Sequence, residues 1–237
     1  DTDLPAQDGH ELWLKTLYRH GVASVETPLF FYRQHGNSLS ADQTRLLDAR
    51  RQVQHRIAEA GRGPVRPRVA VIVPVKNTYS QAPNLALSRL AEKPLLDYTL
   101  DTIAGDPAYA CVLVATDDTR VVAHCQQRGD VQVYLRGGDL SHPSTRFADV
   151  VVDALGYLEN TLRILPDIVI VLSAHTPLRR PEHIVEAIDT LLLYPVEQVL
   201  STWENHDLQY RHGRDGMQAV NAGAIDEARF EREALYS

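Results

Sequence analysis

Lysine is scarce in this sequence. Lys15, Lys76 and Lys93 are the only three, and arginine carries nearly all of the positive charge. No block of basic residues is present, and 24 basic against 31 acidic side chains leave a formal net charge of −7. A protein that tracks a phosphate backbone needs clustered cations, so a nucleic-acid partner is disfavoured. Cysteine is nearly absent as well: Cys111 and Cys125 form no C-x-x-C pair. That argues against a disulfide framework or a cysteine-rich zinc site, and both read as buried thiols. Long apolar runs are missing too. The longest, Val69–Val75 and Ile168–Leu172, fall far short of the roughly 20 residues of a membrane-spanning helix. The opening DTDLPAQDGHELW has no basic-then-apolar signal, so the expectation is a soluble, cytoplasmic chain with no membrane span. The histidines form no H-x-x-x-H or H-x-H pair, and Ser141, Ser173 and Ser201 lack the G-x-S-x-G context of a hydrolase.

What is present is an average globular composition over 237 residues, 44% hydrophobic and 23% charged, enough for one large domain or one domain plus a fragment. The first sixty residues read as a helix around His10 to Arg19, a short aromatic strand at Pro28 to Arg33, and a helix from Ala41 to Ala60 with Leu46, Leu47, Val53 and Ile57 along one face. Gly61, Gly63, Pro64 and Pro67 then break the chain. We therefore divide it into residues 1–62, a linker at 63–68, and a main domain at 69–237.

From Val69 onward strands and helices alternate. VAVIVPV, CVLVATDD, Val131 to Tyr134, DIVIVLS and EQVLSTW read as strands. PLLDYTLDTIAG, TRVVAHCQQRG, a stretch from about Ser144 to Leu162, and the residues after Pro181 read as helices. This order predicts an α/β fold with a mostly parallel, doubly wound sheet and helices on both faces. Ligands in such sheets bind at the carboxyl ends of the strands. That directs attention to Pro74–Asn84, Thr116–Asp118 and Ser173–Arg179.

Four ordered landmarks then resemble the cytidylyltransferases that activate sialic acid and related acidic sugars as CMP derivatives. They are VAVIVPV followed by KPLLDYTL, VLVATDDTRVV, LRGGDLSHPSTRFADVVVDAL, and DIVIVLSAHTPLRRPEHIVEAI. The resemblance runs from Val69 to the end. It implies a Rossmann-like fold of the nucleotide-diphospho-sugar transferase type, CTP and an acidic sugar as substrates, Mg²⁺ bridging the phosphates, and a homodimer.

Position by position, it assigns Lys76 to phosphate neutralisation and Asn77, Ser80, Asn84, Asp117 and Asp118 to the nucleotide. Ser173, His175, Thr176 and Arg179 fall where the sugar would lie. The phosphate loop departs from the family's A-R-G-G-S-K-G-I-P-R-K-N. Here it reads V-K-N-T-Y-S-Q-A-P-N-L-A, without the glycines and most of the cations. At about 1.5–3 kcal/mol per charge-assisted hydrogen bond, two lost contacts weaken nucleotide handling about a hundredfold or more. Two readings stay open: an active enzyme for a different substrate, or a fold whose catalysis is lost. Bland readings stand beside these. Lys76 alone could be a solvated loop lysine, Asp117 or Asp118 a helix cap, His175 a turn residue, and Arg179 a tie holding its loop.

The stretch QDGHELWLKTLYRHGVASVETPLFFYRQHGNSLS resembles the end of a family 2 inverting glycosyltransferase. Asp8 would then be the general base of that enzyme, provided the parent chain completes the domain. Both ends look clipped, as expected for a fragment of a two-activity polypeptide. Two functions follow: CMP transfer to an acidic sugar, or a catalytically degenerate module that binds a nucleotide sugar or mediates oligomerisation of a fused glycosyltransferase.

Overall fold

The computed structural model describes residues 8–17, 20–21, 23, 27, 42–61, 66–79, 82–83, 85–142, 145–194, 196–207, 209–214, 216–220 and 235–236. They belong to two compact units, Asp1–Glu186 and Ala187–Ser237.

The first unit opens with α1 (Asp8–Leu17) and α2 (Gln43–Gly61), which pack on each other. Leu14, Ala49, Val53 and Ala58 are buried, whereas Leu47 is half-exposed at 50%. Positions 49 and 53, one turn apart, share a buried stripe, and Leu47 lies off it. Arg51 joins α2 to Glu186 through a 3.0 Å ion pair. The aromatic strand expected at Pro28 to Arg33 lies outside the described residues.

The centre of this unit is a four-stranded parallel sheet in the order β7 (Gln132–Leu135), β6 (Tyr109–Thr116), β1 (Val69–Val75), β8 (Ile168–Val171). Short two-residue strands, β2 (Thr78–Tyr79) with β3 (Ala82–Pro83) and β4 (Arg89–Leu90) with β5 (Lys93–Pro94), pair within the segment that follows β1. Between the main strands run α3 (Leu95–Leu100), α4 (Thr119–Arg128) and α5 (Phe147–Asn160). The register sets Ile72 beside Leu113 and Val171, and Thr116 beside Leu135.

Strand side chains alternate between faces. On one face Ala70, Ile72, Cys111, Leu113 and Ala115 form a buried cluster with Ala154 and Leu158 of α5. Tyr134 and Tyr157 stack beside it with ring centroids 4.3 Å apart. The alternate residues Val71, Val73, Val112 and Val114 are buried too, as are Leu96 and Leu100 of α3 and Val121 and Cys125 of α4. Both faces of the sheet are covered, which is why the strands carry unbroken β-branched runs. Burial pushes the Cys125 thiol up to about 11, as expected of a buried cysteine.

Helix α4 has readable ends. Asp118 caps its first turn, and Gly129 closes it at φ 74°, a left-handed geometry suited to glycine. Near its end Arg128 binds Asp97 at 3.1 Å, Asp101 at 2.9 Å and Asp130 at 2.7 Å, which fixes α4 to α3.

In the second unit, α6 (Pro181–Leu193), which begins in the first, ends with Leu193 buried. It also holds β9 (Glu204–Asn205), an antiparallel hairpin of β10 (Tyr210–Gly213) and β11 (Gly216–Ala219), and β12 (Leu235–Tyr236), which pairs with β9. The strand expected at EQVLSTW does not form. Residues 197–203 are irregular, with Leu200 72% and Trp203 62% exposed. A strand needs a ladder partner and a covered face to offset its ordering entropy, and this stretch has neither among the described residues.

Leu113→Ala is expected to lower stability by about 2–5 kcal/mol because it opens a cavity in the fully buried cluster. Leu178→Ala, at a residue 85% exposed, should change it by less than about 0.5 kcal/mol. Urea unfolding followed by circular dichroism measures both.

Candidate functional site

Strands β1 and β8 are neighbours, although β6 and β7 intervene in sequence. The chain reverses its direction of growth there, and a crevice opens at the carboxyl ends of adjacent strands. Lys76 follows β1 directly, and Ser173 and His175 follow β8.

A cavity of about 300 Å³ lies at this place, lined by Lys76, Arg136, Thr145, Phe147, Ser173 and His175 among others. A larger cavity of about 470 Å³ sits around the amino ends of β6 and β7, with Cys111, Asp106 and Asp130 in its wall. No cation lines it, so it is not suited to a phosphate.

Arg136 is the most constrained group of the site. Its side chain is 3% exposed, and it donates to the Val75 carbonyl at 2.9 Å and the Leu140 carbonyl at 3.3 Å. Its backbone N–H donates to the Thr116 carbonyl at 2.7 Å. Asp117 is its counter-charge at 3.6 Å. The Asp117 carboxylate also accepts the Asn77 N–H at 2.7 Å, so it ties the residues after β1 to those after β6. Arg136 Nε is buried without a hydrogen-bond partner among the described residues.

Beside this tie, Asp118 accepts the Arg120 N–H at 2.9 Å and both prongs of its guanidinium, at 3.0 and 2.7 Å. The Arg120 side-chain bonds hold the Asp118 carboxyl below the usual carboxylate range. Arg120 also reaches Asn77 Oδ1 at 3.0 Å. Asp117 and Asp118 thus act on protein groups, as crosslink and helix cap. Lys76 Nζ donates to the His142 carbonyl at 3.4 Å.

After β8 the chain makes a tight turn. Ser173 Oγ accepts the His175 N–H at 3.1 Å, and the Ser173 carbonyl accepts from Thr176 at 3.1 Å and from Thr99 at 3.3 Å. Arg179 donates to the Ser173 carbonyl at 3.3 Å, to Thr99 Oγ1 at 3.4 Å, and to Thr176 Oγ1. It holds the turn through neutral oxygens. His175 is exposed at the cavity, yet partial burial lowers its pKa from the ordinary histidine value.

The structure therefore brings Lys76, Ser173 and His175 to one cavity and places Asn77, Asp117 and Asp118 beside it. Thr176 and Arg179 support the turn from behind. Ser80 and Asn84 lie outside the described residues, as does the side chain of Asp8, which opens α1. Arg136, Arg120, Thr145 and Phe147 were not singled out from sequence. Arg136 stands inside the LRGGDL landmark and Arg120 follows the acidic pair, so the signal was there in both cases. Among the described residues no group of three or more histidines, cysteines or carboxylates could hold a metal ion. With Asp117 and Asp118 engaged by arginines, the described residues do not fit a magnesium site.

Residues 70–215 match the family model for cytidylyltransferases. The chain belongs to the cytidylyltransferase family. It is similar to a 3-deoxy-manno-octulosonate cytidylyltransferase of Anaeromyxobacter sp. (strain Fw109-5), 32% identical over 53% of this chain and 46% of the relative. It is also similar to a CMP-N,N'-diacetyllegionaminic acid synthase of Legionella pneumophila, 25% identical over 52% of each chain. The chain thus spans about half the length of these relatives. The solved structure of a 4-diphosphocytidyl-2C-methyl-D-erythritol synthase shares the fold, with a TM-score of 0.51 and 15% identity over 72% of both chains. No helix among the described residues is long and apolar enough to cross a membrane.

Asp118→Ala is expected to lose about 1–2 kcal/mol through the missing cap. The wild-type carboxyl titrates below its unfolded value of about 3.9. Its contribution is therefore present above that pH and lost as pH falls through the lowered folded value. Thermal melts across acidic pH should show the wild type converging on the variant. Asp117→Ala should cost more, about 3 kcal/mol, because it strips a buried guanidinium of its counter-charge.

Proposed function

We propose that this chain carries out nucleotidyl transfer of the CMP-sugar synthetase type. CMP passes from CTP to the hydroxyl of an acidic eight- or nine-carbon sugar, and pyrophosphate leaves. One observation carries this reading: two cationic side chains, Lys76 and Arg136, share a cavity with Ser173 and His175 at the reversal point of the sheet.

The chemistry needs no protein nucleophile, because the acceptor oxygen attacks the α-phosphorus in line. The protein's work is then positioning and charge neutralisation. Lys76 neutralises phosphate charge. The buried Arg136 Nε–H meets no acceptor among the described residues, and such a group is costly until an acceptor oxygen meets it. Ser173 and His175 form the wall that the sugar would face. Magnesium would arrive with the nucleotide's phosphates, and this reading gives it no protein ligand.

A second reading, a non-catalytic module that binds a nucleotide sugar or mediates oligomerisation of a fused family 2 glycosyltransferase, is favoured by a different observation. The Asn77 N–H, placed where a phosphate loop would offer its amides, already donates to Asp117. In that setting Asp8 would serve as base of the glycosyltransferase in the parent chain, and self-association as a homodimer fits either reading.

Calorimetric titration with CTP, using UTP and ATP as controls, with and without Mg²⁺, decides between them. The expected result is micromolar, cytosine-selective binding. Lys76→Ala should weaken it about tenfold, the value of one charge-assisted hydrogen bond. No binding at millimolar CTP, repeated on a polypeptide extended at both ends, would overturn the transferase reading.

A further inference from the structure

In-line attack requires the acceptor hydroxyl to lose its proton, and a positioned side chain that accepts it accelerates the step. The cavity wall is selective in this respect. Lys76 and Arg136 are cations with no free lone pair, Ser173 and Thr145 are hydroxyls, and Pro74, Val75, Leu140, Phe147 and Val150 are apolar. Asp117, the carboxylate that follows β6, is turned to Asn77 and Arg136 and is not among the residues that line the cavity. Among the described residues of the wall, His175 is the one group able to take a proton at neutral pH.

We propose that His175 is the general base of the transfer, accepting the proton of the sugar hydroxyl as its oxygen attacks the α-phosphorus of CTP. This rests on the transferase reading above. The new bond joins the hydroxyl oxygen to the α-phosphorus, and the proton passes to an imidazole nitrogen. The bond from the α-phosphorus to its bridging oxygen breaks, its electron pair leaves on pyrophosphate, and the imidazolium returns its proton to water.

Two features equip His175 for this role. Its backbone is pinned, with its N–H on Ser173 Oγ at 3.1 Å and the Ser173 carbonyl anchored by Thr99, Thr176 and Arg179. The imidazole is also kept neutral. Burial lowers its pKa, and among the described residues the charged side chains that share its cavity wall or tie its turn, Lys76 after β1, Arg136 after β7 and Arg179 behind the turn, are cations. His142, whose carbonyl meets Lys76, is a further titratable group beside that lysine. A base must be deprotonated to act, so activity should fall as pH drops through the His175 pKa, below about 6.5.

The test has two arms on the full chain. In the first, the histidine rings are followed by NMR, with the His175 signal assigned from its loss in His175→Asn. CTP should shift that signal and raise its pKa, because the triphosphate brings negative charge beside the ring. In the second, pyrophosphate release is measured with CTP and a panel of 3-deoxy-octulosonic and nonulosonic acids. His175→Asn and His175→Ala should lower kcat about 10²–10⁴-fold with KM for CTP nearly unchanged. The acid limb of the pH profile should vanish, and added imidazole should partly restore the alanine variant. A His175 ring indifferent to bound CTP, an unchanged kcat, or a loss confined to KM would overturn the proposal while leaving the transferase reading intact. Absence of CTP binding by the wild type would overturn both. Where no acid in the panel turns over, the NMR arm decides.

Discussion

Everything at the carboxyl edge of the sheet hangs on one buried cation. The Arg136 guanidinium has left water almost completely, and an isolated charge in such a place is strongly unfavourable. It persists because the ends of the strands are turned toward it. The Val75 carbonyl comes from β1, the Thr116 carbonyl meets its backbone from β6, and Asp117 supplies the opposite charge. Each group that satisfies Arg136 is thereby fixed, and the crevice between β1 and β8 takes its shape from that arrangement.

A second tier of charge extends the same logic outward. Asp117 uses one oxygen on the Asn77 N–H, and Arg120 joins Asp118 to the Asn77 side chain. The residues following β1 are held from two sides before any ligand arrives. Preorganisation of this kind favours catalysis by positioning, since the reorganisation has been met in folding. It also uses donors that a glycine-rich loop would leave for phosphate.

Most of the sheet could be read from residues alone. Runs such as VAVIVPV and CVLVATDD have no polar alternation because both faces are covered, and that pattern is local. EQVLSTW failed for the converse reason: its composition is strand-like, but a strand exists only with a partner and a buried face, which are tertiary facts. Leu47 of α2 shows the same limit on a smaller scale. In the site, Lys76 and His175 were legible because they follow strands, and strand ends point to one edge. Arg136 was harder. An arginine before two glycines looks solvent-exposed, and only the convergence of three strand ends makes it the buried centre. Asp117 and Asp118 have equivalent places in the sequence. Only the geometry separates the crosslink from the cap.

The altered loop then bears directly on how a triphosphate could be held. A loop rich in glycine binds anions through backbone N–H groups, which bring no net charge and need no side chain. With the Asn77 amide turned to the Asp117 carboxylate, that donor is already engaged and the mode is weakened here. Affinity must come instead from side-chain cations. Such contacts carry charge, reach farther and depend more on salt. A site built this way would hold a nucleotide less tightly but leaves the wall after β8 free to differ, because the turn is anchored by Arg179 and Thr99 rather than by the phosphate loop. Variation at Ser173, His175 and Thr176 can therefore change the acceptor, or the way its proton is removed, without disturbing the charge network that holds the strand ends together.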